Sequence, residues 1–379
     1  YISHLHSDHL CTRLLKKCDL RNKIFIISKF PIPTLKQEIE ALSPLSILQF
    51  EPWVKQQIGD FDLAIIPQVA SSTSPTETSI NYDLDTSLLV HSKRDKMVFF
   101  NKVDNPLPLA SITQVMDFSL NTFGRKPDIA TFNVGAASEY PQCFLGIDRD
   151  FERNRIIEQS LTSFEKEIAI IAPRFAFPAG GLYSLAGGRT VLNKWLAIPD
   201  ATVVINRAKI ASPATTTVDL MGAGSIKTQP TEPFITATEG SWEFPEFNLL
   251  RASIFDYETT ESTKDDEKCS YEENVALALD TYRRMSAQFV PNLDWSIKIN
   301  LYHNFEITES GEISNSKIDH TVHLRDDDSS NIITLHMDCR AFRWGHQILH
   351  SLGSNETPQQ PRRTHASHKT AQGPYAPKA

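Results

Sequence analysis

The first ten residues, YISHLHSDHL, restrict the fold of this chain more than any other stretch. Three imidazoles and one carboxylate fall within six positions, at His4, His6, Asp8 and His9, after a short apolar run typical of a strand end. Neutral imidazole and carboxylate are ligands that zinc and iron prefer. Because residues two apart in an extended segment point the same way, we expect His4 and His6 to bind one ion, and Asp8 and His9 a neighbouring one. The alternative is a solvated His-rich loop.

Size, charge and cysteine usage narrow the class of protein. A chain of 379 residues predicts about two domains, and a net charge of −8 without a compact basic run argues against nucleic acid as a partner. No run of about 18 apolar residues predicts a membrane span. Five scattered cysteines indicate reduced thiols rather than a secreted disulfide framework, so the predicted location is the cytoplasm.

Strand and helix signals alternate along the first half of the chain. Short apolar runs predict strands at residues 23–28, 46–50, 62–67, 86–91, 97–101, 128–133 and 168–172. Helical spacing of apolar residues predicts helices at 33–42, 111–124 and 148–164, the second of them opening with a capping box formed by Ser111 and Gln114. The alternation predicts a layered α/β domain over residues 1–205.

The second half changes character. Residues 206–269 are rich in Ser, Thr, Gly and Pro and then in charge, which predicts a linker with surface excursions. Helix and strand signals return over residues 270–352 and predict a small α+β module, with strands at 296–302, 321–325 and 332–338. Residues 353–379 have no apolar face and predict a disordered tail.

The His-x-His-x-Asp-His motif at positions 4 to 9 resembles the first metal motif of the metallo-β-lactamase superfamily. The resemblance implies an αββα sandwich that collects further ligands from loops at one sheet edge. The segment NKVDNP at 101–106 looks like the part that supplies a bridging carboxylate, which implies Asp104 as a fifth ligand; a turn aspartate before Asn-Pro is the alternative. The chain opens directly on the motif, so we expect it to be N-terminally truncated.

Several segments narrow the resemblance further. DTSLLV at 85–90, NKVDNP, NVGAASEYP at 133–141 and PRFAFPAGG at 173–181 follow the order and spacing of the metallo-β-lactamase-like domain of CMP-N-acetylneuraminate hydroxylases. That similarity implies hydroxylation of a nucleotide sugar together with a Rieske-type iron–sulfur partner. No Cys-x-His pair occurs here, so no iron–sulfur ligands are expected in this chain and the partner would lie elsewhere.

One ligand expected from the superfamily is missing from the sequence. A His should precede the strand at 86–91, yet no histidine occurs between Leu10 and Val90. The only polar side chains among residues 68–74 are those of Gln, Ser and Thr, which are poor zinc ligands. The His4 and His6 ion is therefore expected to lack a third side chain, which predicts one well-held ion or two of unequal affinity.

A glycine-rich loop at 177–189 is a candidate substrate contact. Gly180 and Gly181 let backbone N–H groups approach an anion, and Arg189 at the end of the loop can donate two parallel hydrogen bonds to a phosphate. The alternative is a flexible loop at the rim of the site.

The leading functional prediction is a metal-dependent enzyme similar to nucleotide-sugar hydroxylases, holding zinc or iron and acting on a small molecule. Two alternatives remain, a zinc hydrolase of an ester, amide or phosphodiester in which Asp8 acts as the catalytic carboxylate, and a metal-poor binding or scaffold protein.

Overall fold

The computed structural model describes residues 1–6, 8–30, 33–68, 85–135, 138–180, 183–218, 276, 296–302, 307–314, 320–323 and 332–338. The chain divides into two units, Tyr1–Phe255 with Glu306–Ser314, and Asp256–Phe305 with Asn315–Ala379.

In the first unit strands and helices alternate as the sequence predicts. The strands are β1 (Ile24–Ser28), β2 (Ser46–Phe50), β3 (Gln56–Ile58), β4 (Phe61–Pro67), β5 (Thr86–Ser92), β6 (Met97–Asn101), β7 (Ile129–Phe132), β8 (Phe175–Pro178) and β9 (Thr216–Thr217). The helices are α1 (Thr12–Leu15), α2 (Thr34–Glu40), α3 (Leu109–Phe123), α4 (Arg149–Ile171) and α5 (Ala201–Ala211), with a 3-10 helix at Gly187–Trp195.

A seven-stranded mixed sheet forms the centre of this unit, in the order β3-β4-β5-β6-β7-β8-β9. Its strands pair antiparallel from β3 to β6 and parallel from β6 to β9. The parallel half needs crossover connections, which α3, α4 and α5 provide. Strands β1 and β2 form a separate parallel pair.

The buried side chains arrange these elements in four layers. Along β4, Ala64 and Ile66 pack with α3, α4 and α5 on one face, while Leu63 and Ile65 pack with the β1–β2 pair on the other. The far face of that pair, including Phe25, packs against α2. Successive strand residues face opposite sides, so the nearly continuous apolar run of β4 is explained by its burial on both faces. The layers therefore follow the αββα order predicted from the metal motif.

Three details differ from the sequence prediction. Helix α4 runs on to Ile171 through the residues predicted as a strand at 168–172, because Leu161, Phe164, Ile168 and Ile171 recur at helical spacing and are all buried in the core. The capping box at Ser111 does not form, since α3 starts two residues earlier after Pro108 and Ser111 is buried. The predicted boundary at residue 205 falls inside α5, which packs on α4.

In the second unit the described residues form one three-stranded sheet. Strand β10 (Ser296–Tyr302) pairs antiparallel with β11 (His320–His323) and parallel with β12 (Ile332–Asp338). All three strands were predicted, and β10 and β12 have the predicted bounds. Except for Ala276, which is helical, the helical part of the predicted module lies outside the described residues, as does the tail. The domain boundaries beyond residue 218 stay predictions.

Within the described part of the chain, no helix combines the length and apolar character needed to cross a membrane.

Candidate metal centre

The N-terminal segment is fixed against two strands of the first unit. The Ile2 amide donates to the Ile26 carbonyl at 3.1 Å, beside β1. The Thr86 hydroxyl donates to the Ser3 carbonyl at 2.8 Å, and the Tyr1 hydroxyl lies 2.7 Å from the same Thr86 oxygen. These contacts tie the histidine segment to the start of β5, an inner strand, so the motif lies beside the strand ends of the central sheet and not beside an edge strand.

A tight turn then brings the three motif imidazoles together. The amides of His9 and Leu10 both donate to the His6 carbonyl, at 2.9 and 2.8 Å, so the chain reverses within the motif. The ring centroids of His4 and His9 lie 4.2 Å apart, and those of His4 and His6 4.4 Å apart. His4 Nε2 is 2.7 Å from His6 Nδ1. The rings of His6 and His9 therefore both lie against the ring of His4, and imidazole nitrogens grouped in this way can ligate a metal.

Asp85 supplies the third donor that the sequence was expected to lack beside His4 and His6. Its Oδ1 lies 3.1 Å from His4 Nδ1. His4, His6 and Asp85 each offer a ligand atom within 4.8 Å of the others, and we call this set the Asp85 triad. Sequence reasoning missed Asp85 because it sought a histidine before β5. The available signal was a carboxylate directly preceding a buried strand that packs on the motif.

Asp104 completes a second set. Its Oδ2 lies 2.8 Å from His9 Nε2, and His4, His9 and Asp104 also offer ligand atoms within 4.8 Å of one another. We call these residues the Asp104 triad. The hydrogen bond between them raises the pKa of His9 and lowers that of Asp104. The structure thus brings together residues 95 positions apart, as the resemblance implied, while metal ligation by Asp104 stays a prediction.

His4 belongs to both triads and is the most enclosed of the motif residues, with only 1% of its surface exposed. Burial, followed by the neighbouring His9 and His6, lowers its pKa to about 4. The ring is therefore neutral at pH 7, which is the state in which imidazole binds a metal.

The low pKa of His4 predicts an acid-sensitive metal-free protein. In the folded state His4 stays neutral down to about pH 4, whereas in the unfolded chain it takes up a proton below about pH 6.5. Its contribution to stability is therefore complete above pH 6.5 and is lost as the pH falls towards 4, by about 3 kcal/mol in total. Urea unfolding with chelator at pH 7.5 and 4.5 measures this. Relative to His4→Gln, the wild type should lose about 2–3 kcal/mol more; an equal loss in both proteins contradicts the assignment.

Asp8 lies at the rim of the cluster. Its side chain is 75% exposed, and its Oδ2 is 3.5 Å from His9 Nε2. It belongs to neither triad. Its predicted roles as ligand and catalytic carboxylate stay predictions, and its exposure suits a group that exchanges protons with solvent better than one that anchors an ion.

Of the predicted substrate contacts, Gly180 lies at the cluster. A methyl group added at its α-carbon would stand 2.9 Å from Asn133 Oδ1 and 3.4 Å from Asp104 Oδ1, and its φ of +86° disfavours other residues. Asn133 in turn donates from Nδ2 to Asp104 Oδ1 at 3.2 Å. Arg189 is exposed in the 3-10 helix, and Gly181 lies outside the described residues. Substrate binding by these three residues stays a prediction.

Gly180→Ala is expected to weaken metal binding by about tenfold, because the new methyl group displaces Asn133, which orients Asp104. The positive φ adds about 1 kcal/mol of destabilisation. Chelator competition and thermal unfolding measure the two effects. Gly146→Ala is a matched control, since Gly146 also has a positive φ, at +73°, but an added methyl group would meet nothing within 4 Å. Equal metal affinities in the two variants would contradict a packing role for Gly180.

The donor set fits a divalent ion such as zinc or iron. Three imidazoles and two carboxylates suit both metals, so the residues do not distinguish them. They do not suit an iron–sulfur cluster, because neither triad contains a thiolate.

No protein-family model matches this chain, and no curated protein does. Among solved structures, CmlA, a diiron β-hydroxylase from Streptomyces venezuelae, aligns with a TM-score of 0.37 and 13% identity over 57% of this chain and 42% of CmlA. YhfI from Bacillus subtilis, a metallo-β-lactamase fold protein, aligns with a TM-score of 0.35 and 9% identity over 62% and 75% of the two chains. Unliganded yeast PDE1 aligns with a TM-score of 0.33 and 6% identity over 57% of this chain and 64% of PDE1. The matched part spans less than half of CmlA.

Proposed function

We propose that this protein is a metal-dependent enzyme whose centre is built on His4. The observation that carries the proposal is a buried neutral imidazole shared by two triads, with carboxylates from the start of β5 and the end of β6 on either side. Placing two partly buried carboxylates, 15% and 32% exposed, around the buried ring of His4 without a cation is costly, since these polar groups lose hydration. A bound cation compensates for that loss.

A divalent ion at this position supplies Lewis acidity and a site at which water or oxygen is activated. The residues of the chain perform the remaining tasks. His4, which Asp85 contacts through Nδ1, would help to hold the ion, and Asp104, which accepts a hydrogen bond from Asn133, would contribute a carboxylate. Asp8, on the exposed side, is placed to accept or return a proton during turnover.

We further propose a hydroxylase of the nucleotide-sugar type, acting with a Rieske-type or other redox partner. The support is the ordered similarity of the segments at 85–90, 101–106, 133–141 and 173–181 to CMP-N-acetylneuraminate hydroxylases. These segments include Asp85, Asp104, Asn133 and Gly180, which meet at the cluster. A zinc hydrolase is the second candidate, because the same donors lower the pKa of a bound water equally well.

Metal reconstitution followed by two assays tests the proposal. The purified chain is loaded with Fe(II) or Zn(II), and each form is tested with CMP-N-acetylneuraminate, oxygen and a reductant, and separately with a generic ester. Iron-dependent conversion of the nucleotide sugar to a product one oxygen heavier supports the hydroxylase. Ester hydrolysis by the zinc form alone favours the second candidate. Failure to bind either metal at micromolar concentration contradicts both and leaves a scaffold protein.

A further inference from the structure

The segment that presents Asp104 is held in a strained conformation. Asp104 follows the end of β6, and the residue before it, Val103, has a φ of +54°. This left-handed region is rarely adopted by β-branched residues, because the side chain crowds the backbone. Such a conformation persists only where the surroundings determine it, and these places cluster at functional sites.

A buried ion pair holds this segment from the helix side. Lys102 Nζ lies 2.7 Å from Glu167 Oε2 of α4, and the two side chains are only 6% and 7% exposed. The second Glu167 oxygen lies 3.4 Å from the Ser163 hydroxyl. Because desolvation opposes their attraction, buried ion pairs contribute little to stability compared with apolar side chains of similar volume. What this pair provides is a defined position for the backbone of Lys102, two residues before Asp104.

Buried hydrogen bonds hold the same segment from the sheet side. Asn105 is fully buried, and its Nδ2 donates to the Ile66 carbonyl at 3.3 Å and to the Ser87 hydroxyl at 3.0 Å. The Ser87 hydroxyl donates to the Lys102 carbonyl at 2.9 Å. The Lys102 amide donates to the Thr131 hydroxyl at 3.0 Å. Residues on both sides of Asp104 are thus tied to three strands and one helix.

We propose that Lys102 and Glu167 are positioning residues for the metal centre, which hold the strained backbone at Val103 so that Asp104 reaches His9. The inference rests on the proposed function, because it gives the pair a role only if a metal binds. The ion pair acts through Asp104 and touches neither the ion nor the substrate.

Cobalt(II) affinity, measured by chelator competition on the full chain, tests the proposal. Lys102→Met with Glu167→Met replaces the pair by apolar side chains of similar volume, so the fold is expected to be retained. We expect affinity to fall by about 10- to 100-fold, as when partners of metal ligands are removed elsewhere. The matched control is Arg207→Met with Glu165→Met, which removes an ion pair between α5 and the same helix α4 without touching the Asp104 segment, and should leave affinity unchanged.

A background lacking the Asp104 carboxylate separates positioning from general stability. If the pair acts through Asp104, the double replacement should not weaken binding further in an Asp104→Asn protein. Val103→Gly added to the double variant covers the case in which that variant fails to fold; glycine accepts the positive φ without strain, so the triple variant should fold and regain most of the lost cobalt affinity. Wild-type affinity in the folded double variant, or no recovery of affinity in the folded triple variant, overturns the inference. A wild-type protein that binds no cobalt, zinc or iron overturns the proposed function with it.

Discussion

Replacing His4 with alanine should reduce divalent-metal affinity by at least about a hundredfold. A four-ligand zinc site in a small domain provides about 10–16 kcal/mol, or about 2.5–4 kcal/mol for each ligand, and each 1.4 kcal/mol corresponds to a factor of ten. His4 is common to the Asp85 and Asp104 triads, so its removal weakens both sets at once. Metal content after dialysis and chelator competition on the folded variant measure the loss.

The two triads also predict how the loss of metal affinity differs between variants of the three motif histidines. His6→Ala touches only the Asp85 triad and His9→Ala only the Asp104 triad, so each should reduce affinity less than His4→Ala. His91→Ala is the control: His91 lies on β5, is largely buried and pairs with Asp62 at 3.6 Å, but belongs to neither triad. A loss in His91→Ala equal to that in His4→Ala would mean that the metal centre has been placed wrongly. Equal and complete losses in all three motif variants would argue against overlapping triads.

Much of the fold could be predicted because its signals are local. Strands β2 and β6 match their predicted bounds, since each is a short apolar run between polar turns. The helix predicted over 111–124 ends where α3 ends, with Gly124 as the residue after the last helical one, and its φ of +74° shows why glycine is favoured there. The histidine motif was also recognisable, because its four donors fall within six positions.

The missed features depend on contacts between distant parts of the chain. The isoleucine-rich end of α4 fits a strand as well as a helix when read alone, and only its packing in the core decides between them. In the sequence, Asp85 is an ordinary residue before a strand. Its position in the cluster becomes visible only in the structure, where His4, 81 positions earlier in the chain, lies against its carboxylate. The pairing of Lys102 with Glu167 spans 65 positions and could not be read from spacing.

Another long-range contact, within the first unit, joins residues 307–314 to α4, and Arg149 is at its centre. This segment forms a short hairpin in which Ile307 pairs with Ile313. Arg149 is 7% exposed and donates to the carbonyls of Ser310 and Gly311 at 3.1 and 3.0 Å. Its Nε donates to a third carbonyl, that of Phe144, at 2.9 Å. The sequence prediction assigned these hairpin residues wholly to the second module, because no local signal reveals the partner.

Arg149→Met is expected to lower the free energy of unfolding of the first unit by about 3 kcal/mol. Three carbonyls lose a charged donor, at about 1 kcal/mol or more each, and the stacking of the guanidinium 4.7 Å above the Trp195 ring is lost. Gly311→Ala should act on the same contact from the other side, since an added methyl group would stand 2.7 Å from Trp195 Cζ3 at a φ of +80°.

Urea unfolding of the full chain, followed by tryptophan fluorescence, measures both effects. Because both substitutions break one contact, the combined variant should lose clearly less than the sum of the two separate losses. Arg155→Met is the matched control on the same helix; its side chain is exposed and bonds Glu152 at 2.9 Å, so a change within about 0.5 kcal/mol is expected. Additive losses, or a loss in Arg149→Met no larger than that in Arg155→Met, would show that the hairpin does not pack on α4 in solution.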